Sequence, residues 1–344
     1  MELYEREFFI AKIFMGYVKY KVKDDLYIYM HPPTVDEYIE SQEVFMDAYH
    51  NAIDEGVMSP EECLSFMMEN GIWNGIKEEK LKDIEEEIET FKLHVYENFF
   101  NTEKKEQARK KLQQAKHLFS LLNNDKHSYD HITTTGVATY AKNAWIVEHC
   151  TRLKNGEKYK WEEVDVQTAM GVNNQSIIPE TAVRELSRTN PWRGYWGLRN
   201  QEGNIFNKHP LELTFNQQHI ISWSKAYENV YESPECPTED IINDDDAFDG
   251  WMIKQRKERE ASRGQKLGES LTDKHQGANE VFVFAPTEQD AERVNNLNDP
   301  AAKMQKRART QQIYSSEEGG VHYQQFRDVK MNLAEQLHDM QKNK

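Results

Sequence analysis

Cysteine is scarce in this 344-residue chain, which has three, Cys63, Cys150 and Cys236. They stand far apart with no Cys-x-x-Cys pair, which argues against a disulfide framework or a cysteine-rich zinc site and fits a reducing, intracellular compartment. Long apolar runs are missing as well. No stretch of eighteen uncharged apolar residues occurs, and Met1 to Arg6 carry acids in place of the basic lead-in of a secretory signal, so a soluble chain without a membrane span is expected. Nor is there a Gly-x-Gly-x-x-Gly, a Gly-x-x-x-x-Gly-Lys-Ser/Thr or a Gly-x-Ser-x-Gly, so phosphate-cradling loops and nucleophile elbows have no support. Apolar residues make up 38% of the chain, against about 45 to 50% in an average soluble protein, so its cores are modest. Positive charge is in deficit: 43 Lys plus Arg face 59 Asp plus Glu, a formal charge of -16. That field repels phosphate backbones, and nucleic-acid binding would need a local basic face that outweighs it.

What is present reads as helix. At roughly 150 residues per domain the length suggests about two domains, with room for a small third. Met1 to Met15 is an amphipathic segment with Phe8, Phe9, Ile13 and Phe14 apolar, closed by Gly16. Tyr17 to Tyr20 and Leu26 to Met30, joined through Lys23-Asp24-Asp25, predict a β-hairpin. Thr34 with Glu37 and Ser59-Pro60 with Glu62 are helix-start patterns, and Gly71 stops the second helix. Ile76 to Phe99 and Glu103 to Leu122 predict antiparallel neighbours. The first carries Asp83, Glu85, Glu86, Glu87 and Glu89, the second Lys104, Lys105, Arg109, Lys110 and Lys111, faces of opposite sign that are also explained as two solvated surfaces. Thr133 to Leu153, a segment containing Ala182 to Leu186, and a helix opened by Thr214 and Gln217 continue the pattern. Glu232-Ser233-Pro234-Glu235-Cys236-Pro237 breaks it. Beyond lie a helix from Asp246 to Arg263, a lone strand candidate at Val281 to Phe284, and thin-faced helices over Thr287 to Leu297, Ala301 to Ile313 and Gln324 to Met340. The expected fold is therefore mainly α. Residues 1–33 form an N-terminal helix and hairpin, 34–232 a helical body, and 233–344 an extended, partly helical arm with too little apolar surface to stand alone.

Candidate chemistry is thin. Asp244-Asp245-Asp246-Ala247-Phe248-Asp249-Gly250 resembles a calcium loop, but placing Gly250 at the turn puts Ala247 and Arg256 where oxygen ligands belong. His127, Asp130 and His131 lack the glutamate a zinc-protease helix needs, and His149 beside Cys150 cannot readily share an ion because adjacent helical residues diverge. No catalytic, cofactor-binding or metal-ligating residue is assigned, and no cofactor is implied. The block Asn190 to Arg199 interleaves Trp192, Tyr195 and Trp196 with Arg193 and Arg199, a mixture found in single-strand stacking platforms, in ordinary packed corners and in surfaces that bind a protein partner. Lys254, Arg256, Lys257, Arg259, Arg263 and Lys266 outnumber Glu258 and Glu260 by four, directly after a run from Glu235 to Gly250 that carries seven acids and no base. Such a dipolar segment suits docking onto a second copy or a scaffold, with a solvated helix as the plainer account.

The block Asp245-Asp246-Ala247-Phe248-Asp249-Gly250-Trp251-Met252-Ile253-Lys254-Gln255-Arg256-Lys257, following Pro234-Glu235-Cys236-Pro237, resembles segments of proteins from large contractile-tailed bacteriophages, as do Arg6 to Ile10 and Asn298-Asp299-Pro300. The likeness covers about a tenth of the chain and brings no catalytic residues. It implies a non-enzymatic role in tail or baseplate assembly, with other phage structural or assembly proteins as partners or self-association. It places the protein in the host cytoplasm during assembly, or in the virion. On this reading Phe248, Trp251 and Ile253, with Arg256, are the partner anchors of the arm. The alternative is a nucleic-acid-associated regulator using Trp192, Arg193, Trp196 and Arg199.

Overall fold

The computed structural model describes residues 1–199 and 205–274, together with Lys303, Met304 and Arg307. The chain divides into two units, Met1–Ile253 and Lys254–Lys344. Twelve α-helices and one small three-stranded antiparallel sheet are present among the described residues, so the fold is mainly α. No described helix is long and apolar enough to cross a membrane. The unit boundary falls at Ile253, not at residue 232, and residues 1–33 belong to the same unit as the helices that follow. The correction has a physical cause: the segment after the prolines buries its apolar residues on the body instead of leaving it.

Helix α1 (Leu3–Met15) turns Ile10 and Ile13 inward and ends at Gly16, whose φ of 66° is left-handed. Gln217 Nε2 donates to the Ile13 carbonyl at 3.0 Å and lies 3.0 Å from where a Cβ on Gly16 would stand, so glycine suits both the turn and the close approach. Strands β1 (Val18–Lys23) and β2 (Leu26–Met30) form the expected hairpin, with the turn residue Asp25 at φ 65° and a register shift between Lys21 and Lys23. A third strand, β3 (Thr151–Arg152), pairs with Met30 and Tyr29. Helix α6 (Thr134–Cys150) consequently stops three residues short of the expected Leu153, because Thr151 and Arg152 bond to the sheet edge.

Helices α2 (Val35–Asp54) and α3 (Pro60–Glu69) begin on reciprocal capping boxes, Thr34 with Glu37 and Ser59 with Glu62. Helices α4 (Gly75–Glu97) and α5 (Thr102–Lys126) pair through Leu81, Ile84 and Ala115, with Trp73 buried at one end. Their ion pairs include Lys126–Glu78 at 2.9 Å and Lys77–Asp125 at 3.5 Å. This hairpin register sets Lys104 to Lys111 near the far end of α4, where Lys105 lies over Phe99 and Lys111 over Phe91. Asp83, Glu85, Glu86 and Glu87 are thus not opposite that basic run and stay exposed. Helices α7 (Val166–Gln175), α8 (Glu180–Arg188), α9 (Trp192–Arg199), α10 (Phe215–Tyr231), α11 (Glu239–Ile242) and α12 (Asp245–Lys274) complete the order. One core joins Ile10 and Ile13 to Val183, Leu186, Trp192 and Ile220, and another joins Tyr227 and Val230 to Ile242, Phe248 and Trp251. The expected strand at Val281 to Phe284 and the helices Thr287 to Leu297 and Gln324 to Met340 lie outside the described residues. Within Ala301 to Ile313, the described Lys303, Met304 and Arg307 are helical.

Candidate docking site at the head of helix α12

Four aspartates crowd the start of α12, and a helix N-terminus favours them because its free amides and dipole present positive charge. Each meets at least one cation of the body, drawn from α4, α5 and α8. Asp244 pairs with Arg109 of α5, and Asp246 with Lys116, about two turns further along the same helix, at 2.8 Å. Asp249 sits between Arg184 Nη2 at 2.7 Å and Lys92 Nζ at 2.8 Å. Asp245 meets Arg188 Nη1 at 2.5 Å and the Arg184 Nε at 3.2 Å. Arg188 also donates to the Tyr227 hydroxyl at 2.9 Å and the Asn243 carbonyl at 3.1 Å.

The aromatic part of the site lies under these charges. Phe248 stacks on Tyr227 with ring centroids 4.9 Å apart, Trp251 follows at 6.1 Å, and the Arg184 guanidinium lies over Trp223 at 4.2 Å. Phe248 and Trp251 are buried, at 0% and 4% exposure. Gly250 lets the two helix backbones touch, since a Cβ there would stand 2.1 Å from the Lys92 carbonyl oxygen.

Burial would raise the Asp249 carboxyl and lower the Arg184 guanidinium, but the Asp249–Arg184 contact and the Lys92 charge outweigh it. Asp249 is held below the ordinary carboxylate value and Arg184 above its own. Arg188 is raised in the same way, burial being outweighed chiefly by Asp245. Groups held this firmly in their charged forms act as fixed ions, not as proton carriers. The chemistry the arrangement supplies is attachment.

These positions correct the expected anchors. Phe248 and Trp251 are spent on the chain's own α10 and α11, and Ile253 is half-buried, while Arg256 is exposed. The other block resolves as a packed corner. Trp192 and Trp196 are buried, Trp192 Nε1 donates to Ser224 Oγ at 2.8 Å, and Arg193 is drawn over Tyr231 at 4.1 Å. Buried indoles offer no face to a base, so Trp192 and Trp196 are not stacking surfaces, while Tyr195 of the same block is exposed. Arg199 lies at the end of α9, and its side chain is outside the described residues.

The weaker motifs are accounted for locally. His127 Nδ1 lies 2.7 Å from Asp130 Oδ2 where α5 ends, and His149 stacks on Trp145 at 4.2 Å. The buried Cys150 thiol donates to Glu37 Oε2 at 3.6 Å and is pushed up to about 12 by burial and by that carboxylate, so it stays protonated. Among the described residues no three His, Cys, Asp or Glu side chains are grouped to hold a metal ion.

Arg184 and Arg188 escaped sequence reading. A signal existed, since they stand one turn apart on a short helix beside Val183 and Ser187, inside the arc that the apolar residues bury. Two arginines in a buried arc call for acids from elsewhere, and the aspartates at 245 and 249 have the same one-turn spacing. Compared with known protein families, curated proteins and solved structures, the chain matches none.

Proposed function

We propose that the protein is a non-enzymatic structural or assembly protein that works by docking on other proteins, with the tail or baseplate of a contractile-tailed phage as its setting. The observation that carries this reading is the division of α12. Residues Asp245 to Ile253 are bound to the body by acids that each hold a cation, and the same helix then continues through the exposed Arg256, Lys257 and Arg259. A rigidly held helix head gives the charged stretch that follows a defined start, which lowers the ordering cost of capture by a partner. In a chain of -16 overall charge, that stretch selects an acidic protein surface and repels basic ones. The likeness of Asp245 to Lys257 to segments of phage proteins supports the setting.

The test replaces the cations and not the buried aromatics. Full-length parent and an Arg256→Glu, Lys257→Glu, Arg259→Glu variant are expressed during phage assembly, and the particles and assembly intermediates are purified. The parent is expected to accompany them and the variant to be lost. Equal recovery of both, or absence of the parent from every intermediate, removes the proposal. Titration with labelled single-stranded DNA at two salt concentrations decides against the alternative reading, because capture through phosphates must weaken steeply as salt rises.

A further inference from the structure

Helix α1 has two apolar faces and the body uses one of them. Ile10 and Ile13 are buried, while Tyr4, Phe8, Ala11 and Met15 form a stripe on the opposite side, at the alternating four- and three-residue spacing of a helix–helix seam. Tyr4 is 70% and Phe8 66% exposed, with Leu3 beside them at 60%. At the C-terminal end of the stripe, Met15 and Phe14 form the lip of a cleft of about 500 Å³ whose other walls include Tyr195, Leu198, Phe206 and Lys208. Leu198 is 81% exposed at its rim. The helix thus carries protruding aromatics at one end and a hollow of mixed lining at the other, where Asn207, Lys208 and Gln217 join the apolar walls, about 16 Å apart at 1.5 Å per residue.

We infer that this face is an isologous interface and that its occupant is a second copy of the chain, with the two α1 helices antiparallel. A two-fold axis between residues 9 and 10 sets Tyr4 of each copy opposite Met15 of the other, at the mouth of the cleft, and Phe8 opposite Ala11. The small alanine admits the large ring, and the surface is self-complementary, as a two-fold contact requires. Charge selects the direction. Glu2, Glu5 and Glu7 lie in the first half of the helix, where the positive amino terminus and Arg6 are taken up by Glu185, while Lys12 lies in the second half and Lys208 in the cleft. Lys12 and Glu5 share one flank, and in an antiparallel pair like flanks meet, so each Lys12 faces the partner's acidic half. A parallel pair would instead stack the acids on one another. This interface stands apart from α12, so the fate of either proposal leaves the other testable.

Sedimentation velocity on the full-length chain tests it. The parent is expected to form a species of twice 40.6 kDa across the micromolar range. Phe8→Asp should weaken association at least tenfold with an unchanged far-ultraviolet spectrum and melting temperature, because Phe8 touches little of its own body. Leu198→Asp, on a different helix, should do the same from the cleft side and decides the matter if Phe8→Asp fails to fold. Orientation is read in a Cys236→Ser background, where Tyr4→Cys with Met15→Cys should cross-link between copies and Tyr4→Cys alone should not. A monomeric parent, a Phe8→Asp or Leu198→Asp chain that pairs like the parent, or cross-linking by Tyr4→Cys alone overturns the inference.

Discussion

Two acidic runs lie in the same unit of the molecule and end in opposite states. On α4, Asp83, Glu85, Glu86 and Glu87 remain in solvent, while at the head of α12 Asp244, Asp245, Asp246 and Asp249 each hold a cation from the body. Density of charge does not separate them. The apolar residues between the charges do. The seam of α4, through Leu81 and Ile84, is narrow and faces α5, so the acids on its remaining surface are left wet. In α12 the acids bracket Ala247 and Phe248, with Trp251 just beyond them, all three buried, and the side chains one turn apart at 245 and 249 are carried inward with them. A carboxylate taken out of water needs a partner, and Arg184, Arg188 and Lys92 supply it. Between these two acidic runs, charge pairing follows hydrophobic burial.

The strongest way to break that ordering is to remove the aromatic that draws the acids in. Trp251→Ala should cost about 4 kcal/mol, lowering the melting temperature of the first unit by roughly 10 °C in a calorimetric scan. If Trp251 were a free anchor, the melting temperature would not move, so this one measurement separates the partner-anchor expectation from the packed position. Next in size is the charge itself. Asp249→Asn keeps the shape and leaves Arg184 and Lys92 short of a counter-ion, at a cost of about 3 kcal/mol. Because the Asp249 carboxyl lies below its ordinary 3.8 in the folded chain, its contribution is fully present above 3.8 and is lost as pH falls through the folded value. Urea titrations should show a parent-over-variant advantage that is level from neutral to about pH 5 and shrinks only in stronger acid. An advantage that already falls between pH 7 and pH 5 would mean that Asp249 is not the ion described.

Much of the fold was legible before the structure. The capping boxes at Thr34, Ser59 and Thr214 form as expected because each depends on residues three apart, and local chemistry decides them. Gly16 and Gly71 stop helices for the same reason. Strand β3 was not legible, because its two residues pair with a hairpin more than a hundred positions away and carry no period of their own. The site was half legible. The block from Asp244 to Trp251 stood out, but apolar residues look alike whether their cover is another chain or the same one. Only the positions of Tyr227, Val230 and Ile242 show that the cover is internal. The Trp192 block went the other way: packing was one of its three readings, beside nucleic acid and a protein partner, and the hydrogen bond from Trp192 to Ser224 belongs to it.

The smallest expected effect sharpens the contrast from the exposed side. Glu86 and Glu87 are both exposed, on the part of α4 that the α5 hairpin register sets away from the basic run Lys104 to Lys111. Replacing them with Gln removes two negative charges from a crowded acidic face and leaves helix propensity almost unchanged. Self-repulsion along the run falls slightly, so the double variant should match the parent or exceed it by no more than about 0.5 kcal/mol, in the direction opposite to Asp249→Asn. Raising the salt concentration should erase the difference, because exposed charges are screened within about 10 Å at 0.1 M, while the effect of Asp249→Asn persists. A loss of 1 kcal/mol or more from Glu86 and Glu87, on the scale of about 0 to 1 kcal/mol for exposed pairs, would mean that this face is covered, and the rule that burial precedes pairing would fail on the helix where it is easiest to see.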